Sequence, residues 1–516
     1  METRMKGTRT RRAVAMAVAV ATLTAAGCTS QGGAAGDGGG DEGDALVVGA
    51  RVDNNSFDPA DLEIGNRVQY WQPVYDTLLR LSPEAEPEPN LATEWSYNED
   101  QTVLTLQLRD DVTFTDGEPF DGEAVKANIE HIKAGTGQNQ FMVAGIDEVV
   151  VNSETEVELR LSEPVPALLS YLAWVGGVMA SPAALDSGDI AQEPVGSGPY
   201  VFDAEASTPA TKYVYTRNED YWNPDLYPYD SVEVRPMSDI TPTVNALKTG
   251  QIDAALLTPA VAEEAESAGV TVDTLAVAWA GLIIADREGK VVPELADPRV
   301  RQAINHAFDR EAMVEFILSG YGAPTSQVFS TSSEAYDAAL DDAYSYDPDK
   351  ARQLLEDAGV GDFTITLPQW DGPWNDLFPI ISDQLGKVGI TVKYKQIPPD
   401  QAIAEVLSGR YPVAFFPLAS ASAWQDLQTW VTPEAPWNML GAQDPELDRL
   451  IEAAQMAPAE EQPEAFQEVN RWLVEQAWFA PLFRPDQVFG TTEGTATTMQ
   501  AQNAVPSLWS FQPDQG

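Results

Sequence analysis

The chain has 516 residues, too many for one compact core and enough for two or three domains. Acidic residues outnumber basic ones 80 to 30, and the net charge of −50 sets the chain against nucleic acid and anionic lipid as partners. A single cysteine excludes an intrachain disulfide, and two histidines exclude a multi-histidine metal site and limit any His-based triad.

The first residues read as an export leader. Arg4, Lys6, Arg9, Arg11 and Arg12 form a basic start, and Ala13 to Ala26 is an apolar run too short to span a bilayer comfortably. It ends in LTAAGC, which resembles a bacterial lipobox with Cys28 as the lipidated residue, although Ala25 stands where leucine is usual. Residues 1–27 are therefore the expected leader, and residues 28–43 the lipidated cysteine with a Gly-rich flexible tether.

In the body, Leu46 to Val52 is a short apolar strand followed by the turn-rich NNSFDPAD. Val68 to Leu81 has a helical pattern, and the prolines at 83, 87 and 89 make the next segment a non-helical connection. TVLTLQLRDDVTFTDGEPF (102–120) alternates like a hairpin with turns at Asp110-Asp111 and Asp116-Gly117. Asp121 caps a helix through His131, which reads as structural, and VVVNSETEVELRL (149–161) gives two strands around Asn152-Ser153. PVGSGPY (194–200) has glycines for a close backbone approach but lacks the nucleophile-elbow spacing, so Ser197 is not a catalytic serine. RNEDYW (217–222) comes next, and PTVNALKTGQIDAALL (242–257) reads as helix, Gly250 stop and parallel strand.

DPRVRQAINHAFDREAMVEFILSGYG (297–322) reads as two helices capped by Asp297 and Asp309, with Ser319-Gly320 as the stop. Arg299, Arg301 and Arg310 read as surface or pairing charges, and His306 as a local packing residue. Beyond it come a helix at 346–359, the strand FTITLPQW, a further helix-to-strand passage, the apolar strand RYPVAFFPLAS (410–420) and two late helices.

These stretches together resemble family 5 of the extracytoplasmic solute-binding proteins of ABC importers. The resemblance rests on YDTLL with the following P-x-LA-x-x-W, LRDDVTFTDGEP, PVGSGPY, RNEDYW, ALKTGQID and DPRVRQAI…AFDRE, in family order from about residue 46 to residue 485. It implies a two-lobed α/β fold of the periplasmic-binding-protein type, large class, with an inserted third domain and crossing hinge strands. Mapped onto this chain, residues 44–80, 178–283 and 484–516 would form the first lobe, 81–177 the insertion and 284–483 the second lobe. The implied function is capture of a peptide or peptide-like solute between the lobes and delivery to membrane permease subunits. The protein is then a monomer tethered to the membrane by its lipid anchor, with no cofactor, no metal and no enzymatic activity.

Ligand contacts are expected where loops follow strands. Trp370 and Trp374 lie in LPQWDGPWND, and Ser420, Ser422, Trp424, Gln425 and Asp426 lie in PLASASAWQDLQTW. Tryptophan faces can stack on sugars, peptide side chains or cations, and they can equally pack a core, so both readings stand for Trp370, Trp374 and Trp424. Trp430 and Trp437 read as packing. Asn54, Asn55 and Ser56 are candidate contacts from the first lobe, or turn-formers. Peptide binders of the family often carry a W…DYPDP-like segment at the position of 417–430, whose acidic residue can hold an α-ammonium; here that motif is absent and Asp426 is the nearest acid. An oligosaccharide binder is therefore the alternative within the class, and a secreted hydrolase or a surface scaffold the alternatives outside it. No Walker A, HExxH or strand-linked GxGxxG sequence is present.

Overall fold

The computed structural model describes residues 45–514; the leader, Cys28 and the tether read from the sequence lie outside them. At the centre is a ten-stranded mixed sheet. The strand Ala45–Ala50 runs parallel to Ser231–Pro236 on one side and to Ala254–Leu257 on the other. Parallel strands are covered on both faces, and Ala254–Leu257 is accordingly buried at every position. Lys212–Arg217 and Tyr200–Thr208 extend this end in antiparallel fashion. At the opposite end Val413–Ala419 pairs with Ala278–Ile284.

A long antiparallel ribbon connects the two ends. Phe479–Thr491 pairs through residues 479–483 with Ala278–Ile284 and through residues 486–491 with Thr271–Ala276. Its first half packs with Leu282, Ile304, Phe308, Phe378 and Phe415, whereas Val488 packs with Val244, Leu247, Ile252 and Val270. Phe479 and Phe489, one from each half, join the third and largest cluster, so the ribbon ties the packed regions together where it crosses between them. The architecture is the two-lobed binding-protein fold that the sequence implied.

Residues 92–161 form a smaller antiparallel sheet in which Ala92–Tyr97, Val103–Leu108, Glu156–Leu161 and Ile146–Ser153 lie side by side. Here the structure departs from the expected hairpin at 102–120. Val103–Leu108 pairs with its flanking strands, and residues 109–120 form a loop with one short bridge between Thr113 and Pro119. The helical pattern at 68–81 also shortens: only Val68–Trp71 is helical, because Pro73 cannot continue the turn and the chain then straightens into Leu79–Leu81.

Several shared motifs meet at one buried point. Asp76 of YDTLL accepts hydrogen bonds from Ser197 Oγ of PVGSGPY (2.9 Å) and from Tyr221 OH and Trp222 Nε1 of RNEDYW (2.9 and 3.2 Å). Burial raises the Asp76 carboxyl to about 6, and these donors together with the Asn90 side chain hold it from going higher. Gly196 and Gly198 press on Val74: a Cβ at these positions would lie 2.2 Å from the Val74 carbonyl oxygen and 2.4 Å from its carbonyl carbon, respectively.

Pro298–His306 and Arg310–Leu318 form the expected helix pair, with Asp297 accepting from Arg299 N and Asp309 from Ala312 N. The arginines correct the sequence reading. Only Arg299 is an exposed pairing charge, bound to Asp297. Arg301 and Arg310 are buried and spend their guanidinium donors on backbone carbonyls: Arg301 on Leu295, Ala296 and Gln476, Arg310 on Asn305, Thr325, Tyr344 and Pro481. Carbonyls at loop ends need donors as much as carboxylates need cations, and a planar five-donor group supplies several at once. His306 is also buried, its Nδ1 2.8 Å from Ser345 O.

Candidate functional site

The strand Val413–Ala419 presents Phe415 to the core and leaves Phe416 half-buried on the other face. Trp370 lies 5.6 Å from Phe416, and Phe416 lies 4.6 Å from Trp437, ring centre to ring centre. All three rings are half-buried, so they form a partly open aromatic row. Trp374 stacks at 5.8 Å on buried Phe483 and meets Phe415 at the same distance, as a core residue does. Trp430 is 1 % exposed and packs edge-on against Trp279.

The loop after this strand begins at the crossing ribbon: Ser420 N donates to the carbonyl of Val277, the residue between the two paired segments of the crossing chain (3.0 Å). Asp426 then reaches back into the loop. Its Oδ2 accepts from Ser420 Oγ (2.6 Å) and its Oδ1 from Ala421 N (2.9 Å). Burial holds this carboxyl well above the usual carboxylate range; the Ser420 and Ala421 bonds oppose that shift and the charge of Glu334 adds to it. Ser422 Oγ accepts from Gln425 N and caps the helix Ala423–Trp430, and Glu334 Oε2 accepts from Ala423 N. Ser420, Ser422 and Asp426 are thus brought together, but with one another. Their work is to fix the first turn of the helix, and with it Trp424 and Gln425.

Trp424 lines a cavity of about 500 Å³. One wall comes from residues 141–171, including Phe141, Pro164, Val165 and Tyr171, and the other from residues 424–455, including Trp424 and Ile451. Gln455 Nε2 donates to Pro164 O across the junction (2.9 Å). Phe141 is 43 % exposed and meets Tyr171 edge-on at 5.5 Å. Tyr171 and Trp424 are 4 % and 8 % exposed, and neither the hydroxyl nor the indole N–H has a hydrogen-bond partner among the described residues. No group of three or more His, Cys, Asp or Glu among the described residues is placed to hold a metal ion.

Residues 86–435 match the family profile of the bacterial extracellular solute-binding proteins, family 5. The chain belongs to this family. Among its relatives is the glutathione-binding protein GsiB of Escherichia coli, 29% identical over 373 residues that cover 70% of this chain and 71% of that protein. Solved structures with the same fold include the ABC transporter substrate-binding protein CtaP of Listeria monocytogenes, with a TM-score of 0.80 at 19% identity and coverage of 91% and 99% of the two chains. The periplasmic binding protein DppA of Helicobacter pylori, in complex with the peptide STSA, aligns with a TM-score of 0.73 at 22% identity, covering 91% and 98%. The family 5 chain is accordingly an extracytoplasmic substrate-binding protein of an ABC importer.

In this family 5 protein the first-lobe candidates divide. Asn55 Nδ2 donates to Asp61 O and Ser56 Oγ accepts from Asp58 N, so both shape the NNSFDPAD turn. Asn54 is half-buried, and its side chain has no partner among the described residues. The aromatic and acidic residues of the 141–171 wall escaped the sequence reading. Phe141 and Tyr171 sit in ordinary amphipathic helical text, and nothing local says that this text faces residues 424–455.

Proposed function

We propose that the protein captures a peptide or peptide-like solute between its lobes and delivers it to a membrane permease, working as a monomer and catalysing no reaction. The first lobe comprises residues 44–80, 178–283 and 484–516, the insertion residues 81–177 and the second lobe residues 284–483. The observation that supports this reading is the cavity walled by residues 141–171 of the insertion and 424–455 of the second lobe, beside a loop anchored on the crossing ribbon that runs on into the first lobe. A solute touching both walls favours the form in which they are together, which is how binding is reported to a permease. The glutathione-binding relative and the peptide complex of the structural neighbour support a peptide-like solute. Trp424, Gln425, Trp370 and Asn54 are the predicted contacts that remain available to it.

Asp426 is poorly placed to anchor a free α-ammonium, because it is 2 % exposed and both of its oxygens already accept bonds inside the loop. Native mass spectrometry of the purified protein, followed by calorimetric titration with short peptides, tests the reading. A co-purified peptide, or peptide binding that Trp424→Ala weakens by about 1 kcal/mol or more, supports it. Binding of oligosaccharides alone would replace it with the other reading within the class.

Lipidation of Cys28 would hold the protein at the outer face of the cell membrane, with residues 29–43 as the tether. One acyl chain anchors weakly, so several chains are needed. Cys28→Ser should move the protein from the membrane fraction to the soluble one, and an unchanged distribution would refute the anchor.

A further inference from the structure

The cavity beside Trp424 carries more charge information than its aromatic lining. Four carboxylates, those of Glu163, Glu434, Asp448 and Glu452, line it with no basic residue among them. None of the four has an ion pair or a side-chain hydrogen bond among the described residues. On the same helix that supplies Asp448 and Glu452, Glu446 is paired with Arg449 at 2.7 Å, and neither residue lines the cavity. The Tyr171 hydroxyl in one wall and the Trp424 indole N–H in the other, both on residues more than nine-tenths buried, have no hydrogen-bond partner among the described residues. Like charges gathered round a concave, partly apolar space focus the potential inward and raise the local concentration of cations.

We infer that this cavity selects positively charged solutes, and specifically the basic side chains of short Lys- or Arg-containing peptides. The inference rests on the peptide reading given above and names the substrate class of that site. An alkyl stem fits against Val165, Ile451 and the aromatic edges, while the cationic head reaches the four carboxylates. Phe141 and Trp424 add attraction through their ring faces. A volume of about 500 Å³ lies within the range of small-ligand pockets and suits a peptide of a few residues.

The test is calorimetric titration of the full chain with trilysine, trialanine, triglutamate and 1,5-diaminopentane. Trilysine should bind at least about tenfold tighter than trialanine, and high salt should shrink that difference. The double variant Glu163→Gln/Glu452→Gln should lose about tenfold for trilysine and stay within about twofold for trialanine, whereas Glu446→Gln should change neither. Those residues are exposed, so the neutral variants should fold; matching circular dichroism spectra and melting temperatures check it. Trialanine or triglutamate binding as tightly as trilysine, or a double variant that keeps full trilysine affinity, overturns the inference and leaves the peptide reading standing. Binding of 1,5-diaminopentane that the double variant loses, with no binding of any tripeptide, keeps the charge selection and overturns the peptide reading. Binding of none of the four probes overturns both.

Discussion

Replacing Asp76 by asparagine isolates the energetics of the buried junction where the shared motifs meet. The carboxylate sits at 4 % exposure among neutral donors (Ser197, Tyr221, Trp222 and the Asn90 side chain) with no cation among its hydrogen-bond partners, and its pKa rises from 3.8 to about 6. A shift of about 2 units at ~1.4 kcal/mol per unit is about 3 kcal/mol. The sign comes from proton linkage. The native state holds the proton more tightly than the unfolded chain, so the stabilisation is fully present below pH 3.8 and is lost as the pH rises to about 6. At pH 7 the protein folds with an ionised, desolvated carboxylate; an amide avoids that cost. Asparagine is nearly isosteric: its oxygen can accept from Ser197 and Trp222, and its NH₂ can donate to the Tyr221 hydroxyl, which rotates to accept. Urea denaturation of wild type and Asp76→Asn at a series of pH values from 4 to 8 measures the difference. The variant should gain about 3 kcal/mol relative to wild type between pH 4 and pH 7, on top of a small constant offset. A difference that stays flat across this range would show that Asp76 titrates like an exposed carboxyl, and the argument from burial would fail.

Gly198→Ala places a Cβ 2.4 Å from the Val74 carbonyl carbon; a loss of about 3 kcal/mol is expected, read as a fall in melting temperature, and an unchanged melting temperature would mean the loop yields freely. Arg310→Lys keeps the charge but brings three donors to one point where the guanidinium serves Asn305, Thr325, Tyr344 and Pro481. It should cost about 2–4 kcal/mol in urea denaturation, and a neutral result would show that those carbonyls find other donors. The Asp58 hydrogen bond raises His131 above 6.5, and His131 in turn lowers Asp58, so their coupling is present below pH 6.5 and is lost as the pH rises through the folded value for His131. A double-mutant cycle with Asp58→Asn and His131→Gln should give about 1 kcal/mol at pH 6 and close to zero at pH 9. Equal coupling at both values would assign the contact to a neutral hydrogen bond.

Much of the fold was legible because its rules are local. Asp297 and Asp309 cap the helices they were expected to cap, and Gly250 stops its helix before the parallel strand Ala254–Leu257. The misreadings occur where a pairing partner lies far along the chain. The alternation at 102–120 looked like a hairpin because period two tells which residues face the core and does not name the neighbouring strand; Val103–Leu108 instead pairs with Glu156–Leu161. Arg301 and Arg310 looked like surface charges for a related reason. Their acceptors are carbonyls up to about 175 residues away, and a carbonyl leaves no mark in the sequence.

The site obeys the same logic more severely. The loop Ser420–Asp426 follows a strand as expected, yet Ser420 donates to Asp426 and Ser422 caps the next helix, because short polar side chains near a helix start find backbone and neighbouring groups before they find a ligand. The larger, stiffer Trp424 that the loop positions lines the cavity, across from a wall of residues 141–171. Motifs such as YDTLL, PVGSGPY and RNEDYW are recognisable because they must fit one another around Asp76, so each constrains the others' chemistry. Glu163, Asp448 and Glu452 are under no such mutual constraint: their carboxylates have no ion pair or hydrogen bond among the described residues, and all three are exposed. Residues free of the fold's requirements are the ones through which one scaffold can be turned to different solutes. A family resemblance therefore reads the scaffold well and the cargo poorly, and the cargo we propose rests on carboxylates left without a partner in a cavity.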